Sequence, residues 1–487
     1  MLTANRSVEN AESGERDLTK SAPDLTEKVS SGGLGDGRHK HRHHHQHHQG
    51  RRNSAGPKSR SSARKGGEEP RSTTFMSKVL DKFKKKDKAV KQGGAPAGEK
   101  EADAEDVEPR RHLPPVYLTC ADDLPKDMRK SLKASKLTEA EIQNNFVILL
   151  HCFHFLTKRS FVYTPSPEAE PINIGRTKNK DRTKDRRDTI PSSEALLTDG
   201  IVKKDVKVQE VVGEGGFGRV YMAKNLKGKG RVAVKKMKHV NPRDQFRNLS
   251  EVHFLKRVDH PNIVRFISAY TTLDELWIVT EFMEGGTLSQ AIKGFEFQEK
   301  QIAFVAKEML QGIFYLHQNK LIHRDLKSAN IMMTTQGDVK LIDFGLCLDY
   351  AVQGDKRCHM VGSPFWMPPE MIKRQQYSYP VDIWSFAICL LELANGQPPN
   401  RKSSLKAMFT AGTEGYPKPF KNPAQWTRDF KDFMSRCLQS DPEERATAEE
   451  LLQHPFLAKA DTRKGMKKIL SHIFLQNTME MMNLGGI

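Results

Sequence analysis

The sequence predicts an α+β, bilobal fold: a small β-rich lobe, then a large α-helical lobe, preceded by a long disordered N-terminal region. Three observations predict it. Residues 1–110 contain only two aromatics, Phe75 and Phe83, among Ser, Gly, Glu, Lys and His, too little apolar surface to offset the entropy of ordering a chain. From Asp205 the apolar residues follow a strand pattern, Val206, Val208, Val211 and Val212, and it returns in Val232-Ala-Val and Leu276–Met283. From Ile302 to His317 the periodicity turns helical. A chain of 487 residues has room for one core of about 250 residues plus tails, at roughly 100–200 residues per domain.

The N-terminal tail carries part of the chain's formal charge of +19. Within it, Phe75, Met76, Val79, Leu80 and Phe83 fall on one face of a predicted helix over 75–91, flanked by seven lysines against two aspartates. Such a helix suits an anionic membrane surface, each basic residue contributing about 1 kcal/mol; a solvated charge run or a nuclear-import signal is the alternative. The run His39–His48 lacks a second ligand cluster to fix a metal geometry, so it reads as low-complexity sequence. Six cysteines without paired spacing suit reduced thiols. No stretch approaches the ~18 apolar residues of a membrane span, and the first residues lack an apolar core. The expectation is a cytoplasmic protein, peripheral at a membrane if at all, with no nucleic-acid partner.

Order should return over 117–160. Thr138-Glu-Ala-Glu141 has the form of a capping box, and Phe146–Leu156 is a strongly apolar helix. A hairpin this short needs another surface to cover it. Residues 161–204, with their prolines and the basic run Arg176–Asp188, read as a flexible linker.

The motifs that carry chemistry follow. Val212-Gly-Glu-Gly-Gly-Phe-Gly-Arg-Val220 matches GxGxxGxV, in which glycines let backbone amides close over phosphates. The next strand brings Lys235 towards the α and β phosphates, and Glu251 on the following helix is its expected carboxylate partner. Leu276–Met283 should be a buried strand entering a hinge. Thr280 then backs an adenine pocket, and Glu281 and Met283 supply backbone hydrogen bonds to the base. The nucleotide-binding set is thus Val212, Gly213, Glu214, Gly215, Gly216, Phe217, Gly218, Val220, Ala233, Lys235, Glu251, Thr280, Glu281 and Met283. His323-Arg-Asp-Leu-Lys-Ser-Ala-Asn330 and Asp343-Phe-Gly345 match the H-R-D-x-K-x-x-N and D-F-G motifs of phosphoryl-transfer enzymes. Phosphoryl transfer needs a carboxylate to orient and deprotonate the attacking hydroxyl, a role that falls to Asp325, with Lys327 beside it. It also needs oxygen ligands for magnesium, which falls to Asn330 and Asp343. ATP and Mg2+ are the implied cofactors.

Together these motifs span residues 206–457 and resemble the protein kinases. Gly362-Ser-Pro-Phe-Trp-Met-Pro-Pro-Glu370 and Asp274-Glu-Leu-Trp277 look like the PAK family, in the STE group of serine/threonine kinases. Lys327 is the serine/threonine choice. The resemblance implies that Asp382 supports the catalytic loop and that Glu370 pairs with Arg445. It extends upstream: Leu124-Pro125 and Ser131–Leu156 are similar to the PAK autoinhibitory segment, which folds as helices against the large lobe and blocks the cleft. The implied function is transfer of the ATP γ-phosphate to Ser/Thr hydroxyls of protein substrates in signalling, with a pseudokinase-like scaffold as the alternative. Two departures stand out. No CRIB string, ISxPxxFxHxxHxG, occurs between residues 87 and 124, so regulation by a small GTPase is not expected. Counting back four residues from Ser363, where PAK kinases carry a phosphorylatable Thr, gives His359, leaving Arg324 without the usual phosphate partner. Residues 458–487 read as a C-terminal helical tail.

Overall fold

The computed structural model describes residues 114–175, 193–198 and 202–484, apart from 216, 217, 229, 240, 273 and 354–357. The segment expected to be disordered, its 75–91 stretch, the histidine run and linker residues 176–192 and 199–201 lie outside the described residues.

The described chain begins with β1 (Val116–Leu118), α1 (Lys126–Ser135), α2 (Glu139–Asn144), α3 (Phe146–Thr157), β2 (Phe161–Tyr163) and β3 (Ile172–Ile174). The capping box forms. Thr138 Oγ1 accepts from the Glu141 amide at 3.2 Å, and Glu141 Oε2 accepts from the Thr138 amide at 2.6 Å, so two orphan donors at the start of α2 are satisfied reciprocally. In α3, Phe146, Leu149, Leu150, Cys152 and Phe153 are buried. The linker expectation needs correction at both ends: Phe161–Gly175 is folded, and Ser193–Leu196 and Val202–Asp205 are helical, with Leu196 and Val202 buried. β2 runs parallel to β1 and antiparallel to β3, with Val116 opposite Phe161 and Phe161 opposite Ile174. Phe161 is fully buried; the prolines at 165, 167 and 171 fall between the two strands rather than within them.

The small lobe follows two short helices, α4 (Ser193–Leu196) and α5 (Val202–Asp205). Its sheet comprises β4 (Val206–Gly215), β5 (Gly218–Asn225), β6 (Arg231–Lys238), β7 (Phe266–Thr271) and β8 (Glu275–Glu281), in the spatial order β4-β5-β6-β8-β7 and antiparallel throughout. Because side chains alternate across a strand, β6 sends Val232 and Val234 into a small cluster with Ala223, Tyr270, Trp277 and Val279 on one face. Met237 goes to the other face, where α6 (Pro242–Arg257) covers the sheet with Val252 and Leu255.

The large lobe contains β9 (Gly285–Thr287), α7 (Leu288–Ala291), α8 (Glu299–Gln318), β10 (Leu321–Ile322), β11 (Ile331–Thr334), β12 (Val339–Leu341), β13 (Leu348–Asp349) and α9 (Tyr350–Gln353). After these come α10 (Pro369–Ile372), α11 (Pro380–Asn395), α12 (Ser404–Thr413), α13 (Arg428–Cys437), α14 (Ala448–Leu452), α15 (Pro455–Ala458) and α16 (Arg463–Leu484). Every residue of α11 from Val381 to Leu393 is buried. A helix buried on every side is a core helix, and α8, α13 and the Pro364–Trp366 turn pack against it. The N-terminal hairpin finds its cover here: α3 lies on α10 and α12, and α1 also touches α12.

Candidate active site

The site lies where the inner face of the small-lobe sheet opens onto the large lobe. Val220 sits opposite Lys235, and Ala233 opposite Thr280. These inner-face residues are half-buried, whereas Met237 and Ile278 on the same face are 2% and 1% exposed; the first group lines the cleft and the second meets the core. The glycine-rich turn forms the end of the β4–β5 hairpin, Gly213 pairing with Val220, Glu214 with Arg219 and Gly215 with Gly218. Gly218 has φ +138°, and a Cβ there would meet the Lys236 carbonyl oxygen at 2.1 Å, so only glycine fits. Val212 is exposed at the rim. Gly216 and Phe217, at the tip, lie outside the described residues.

Lys235 holds the site's cationic centre. Its Nζ lies 2.8 and 3.0 Å from the two Glu251 oxygens and 3.0 Å from Asp343 Oδ1. Burial works against the ammonium, but the two carboxylates outweigh it and hold its pKa above the ordinary lysine value. Burial likewise pushes Asp343 up, and Lys235 more than offsets it, keeping this carboxyl below the usual range. Glu251 reaches inward from α6 and is 4% exposed. At the hinge, the Glu281 amide donates to the Arg265 carbonyl at 3.0 Å, so backbone recognition of a base by Glu281 falls to its carbonyl. Met283, two residues further on, is buried.

The second half of the site is the loop Ile322–Asn330, held from below. Asp382, fully buried on α11, accepts from the amides of His323 and Arg324, both at 2.8 Å. These bonds support Arg324 at φ +64°, a conformation that L-residues rarely adopt. The loop then presents Asp325 to three donors: Lys327 Nζ at 2.9 Å and Asn330 Nδ2 at 3.0 Å on Oδ2, and the Ser363 hydroxyl at 2.8 Å on Oδ1. Lys327 Nζ also donates to Ser363 Oγ at 3.0 Å. A hydroxyl held between a lysine and a carboxylate shows that Asp325 can accept a proton-bearing oxygen from the cleft side.

The donor set fits a hard cation. The Asn330 amide nitrogen is committed to the Asp325 carbonyl and carboxylate, which turns Asn330 Oδ1 away from Asp325, and Asp343 supplies a carboxylate. Among the described residues no group of three His, Cys, Asp or Glu side chains is arranged for a metal. An ion here would therefore rest on two protein oxygens and borrow the rest from phosphates and water, as Mg2+ does.

All the described members of the expected set thus fall on the cleft or its rim, where direct hydrogen bonds join them in two groups, Lys235 with Glu251 and Asp343, and Asp325 with Lys327 and Asn330. Ser363, expected from Gly362-Ser-Pro to contact the substrate-hydroxyl site, lies against Asp325 and Lys327. Tyr377 is the residue that sequence reasoning does not reach. Arg324 donates to the Tyr377 hydroxyl at 3.0 Å and to the Leu346 carbonyl at 2.8 Å, and no local pattern ties these residues together.

Comparison with known proteins places these features in context. Residues 206–457 match the family model for the protein kinase domain. The probable serine/threonine-protein kinase mkcB of Dictyostelium discoideum is 50% identical over 374 residues, covering 76% of this chain and 50% of that protein. In the same organism, the probable serine/threonine-protein kinase mkcC is 50% identical over 284 residues (58% of this chain, 32% of that protein). The serine/threonine-protein kinase pakA is 36% identical over 280 residues (57% and 23%). The chain spans half or less of the length of these relatives.

Proposed function

The chain belongs to the protein kinase family, and from that premise we propose that it is a PAK-like serine/threonine protein kinase, transferring the γ-phosphate of ATP to Ser or Thr hydroxyls of proteins. The observation that carries this reading is a pair of hydrogen-bonded clusters in the cleft. Lys235, bridged to Glu251 and Asp343, and Asp325, flanked by Lys327 and Asn330, face it together. In this reading Lys235 holds the α and β phosphates. Asp325 takes over a substrate hydroxyl, as it now holds Ser363 Oγ, and accepts its proton. Lys327 balances charge beside the transferring group. Mg2+, held by Asn330 and Asp343, would neutralise charge on the phosphates.

Autoinhibition is part of the proposal. Its support is that α3 and α1 cover α10 and α12, and that α12 packs on the Pro364–Trp366 turn next to Ser363. That is the surface a peptide substrate leaving Asp325 would cross. The PAK-like assignment is supported by the hairpin's pattern and by pakA. Contact of the 75–91 segment with anionic membranes, a cytoplasmic location and independence from small GTPases remain proposals of the same kind, resting on the sequence alone.

The test is phosphate transfer from labelled ATP to a mixed Ser/Thr peptide library by three proteins: the full chain, a form lacking residues 1–160, and Asp343→Asn. Transfer by the first two, greater in the second and absent in the third, is expected. No transfer by either wild-type form would leave a scaffold that binds partners without catalysis.

A further inference from the structure

The matched domain ends at residue 457, but the fold continues through α16, and this helix reaches the nucleotide side of the molecule. Met466, Leu470, Ile473 and Phe474 recur at i, i+4, i+7 and i+8 and are all buried, an amphipathic stripe with a definite partner. The partner is β9 and α7, which leave the hinge, and β11, which pairs with β9. We propose that α16 is a positioning element of the nucleotide site, a buttress behind the hinge that sets ATP affinity; the inference rests on the kinase reading.

Three observations carry it. First, β9 begins two residues after Met283 and lies between two supports. On one side it pairs with β11, Gly286 opposite Met333. On the other it meets α16 so closely that a Cβ on Gly286 would fall 2.5 Å from the Phe474 ring and 2.7 Å from Gln290 Oε1. Second, α16 is bonded to the hinge through one intervening residue. Ser471 Oγ donates to the Thr335 carbonyl at 3.1 Å, and the Thr335 amide donates to the Glu284 carbonyl at 2.8 Å. Third, the β11–β12 turn is clasped at both ends. Arg463 pairs with Asp338 and Lys467 Nζ donates to Gln336 Oε1 at 2.5 Å, while Lys340, at the far side of that turn, pairs with Glu281 in the hinge at 2.6 Å. The hinge is thereby linked to α16 through the Glu284 carbonyl and, by way of the β11–β12 turn, through the Glu281 side chain, at the two ends of the segment expected to bond adenine. None of these α16 residues touches Asp325 or Lys327, so its influence should fall on nucleotide binding rather than on the chemical step.

The test uses the full chain with Phe474→Ala, Gly286→Ala, the double variant, and Ser471→Ala. It measures KM for ATP, KM for peptide, kcat, direct binding of a fluorescent ATP analogue, and melting temperature. Phe474→Ala and Gly286→Ala should each raise the KM and Kd for nucleotide roughly tenfold, with kcat within about twofold and peptide KM unchanged. Because both act on one contact, the double variant should be no worse than either single one. Ser471→Ala, the mildest change, should shift nucleotide affinity in the same direction by less. Unchanged nucleotide affinity in folded Phe474→Ala, additive effects in the double variant, or a parallel loss in kcat and peptide KM would overturn the proposal. If no form transfers phosphate while nucleotide affinity still falls as expected, the kinase reading fails and the buttress stands.

Discussion

Arg324 illustrates how a single residue can lose an expected partner and still be satisfied. His359 stands where a phosphothreonine would bring about −1.5 to −2 charges, yet the guanidinium is buried and hydrogen-bonded to Leu346 and Tyr377. Hydrogen bonds made by charged groups are among the stronger ones, so the loop that begins at Leu346 has an anchor that needs no phosphate. Phosphatase treatment of the form lacking residues 1–160 should therefore leave its activity within about twofold, with phosphate on the loop followed by mass spectrometry. Silencing of that form would show that another loop residue has taken over the switch. At Asp325 the expectation is harsher. An amide keeps the shape but cannot take a proton, so Asp325→Asn should lower kcat about 10²- to 10⁴-fold while the KM for ATP changes little. A comparable loss in ATP affinity would mean that the carboxylate serves binding rather than proton transfer.

At the scale of elements, α3 on α10 and α12 is the contact on which regulation would turn. Leu149 and Leu150 are fully buried, and a Cβ on Gly412 of α12 would lie 3.2 Å from Ile148, so the helices approach closely. His151 is part of this docked face. Burial, with the Arg374 guanidinium nearby, pushes its pKa down to about 4. A free hairpin would titrate near the ordinary 6.5. Between these values the undocked state binds more protons, so docking is at full strength above about pH 6.5 and weakens as pH falls towards 4. The loss is about tenfold per unit, the equivalent of ~1.4 kcal/mol. Hydrogen exchange across α3 at pH 7.5 and 5.5 should show this opening, and His151→Asn should flatten the difference. Leu150→Asp should undock the helix at every pH and raise activity to that of the truncated form. Unaltered protection of α3 in Leu150→Asp would place its anchorage elsewhere.

At the scale of the whole molecule, the large lobe is locked by Glu370 and Arg445, 75 residues apart. Arg445 Nη1 and Nη2 lie 2.7 and 3.0 Å from the two carboxylate oxygens, and both side chains are almost wholly out of water. Removing one partner strands the other as a buried charge, a cost of about 3–5 kcal/mol. Arg445→Leu should accordingly melt several degrees lower, and Glu370→Gln with Arg445→Leu should recover part of the loss, because the stranded charge goes too. A single variant as stable as the wild type would remove this pair from the list of what holds the lobe.

The amino-acid sequence by itself determined the bilobal α+β class, the strands around Lys235, the capping box at Thr138 and which of the described residues, from Gly213 to Asp343, line the cleft. Each of these is written in local spacing: period two in strands, 3.6 in helices, and residue types dictated by phosphate, proton and metal. Only the tertiary structure decided that Phe161–Gly175 folds beside β1, that Tyr377 answers Arg324, that Ser363 bridges Asp325 and Lys327, and that Phe474 packs on Gly286. The physical reason is common to all four. Each joins residues distant in sequence whose contact depends on how whole elements pack, and a pairing across 36, 53 or 188 positions leaves no periodic trace in the chain.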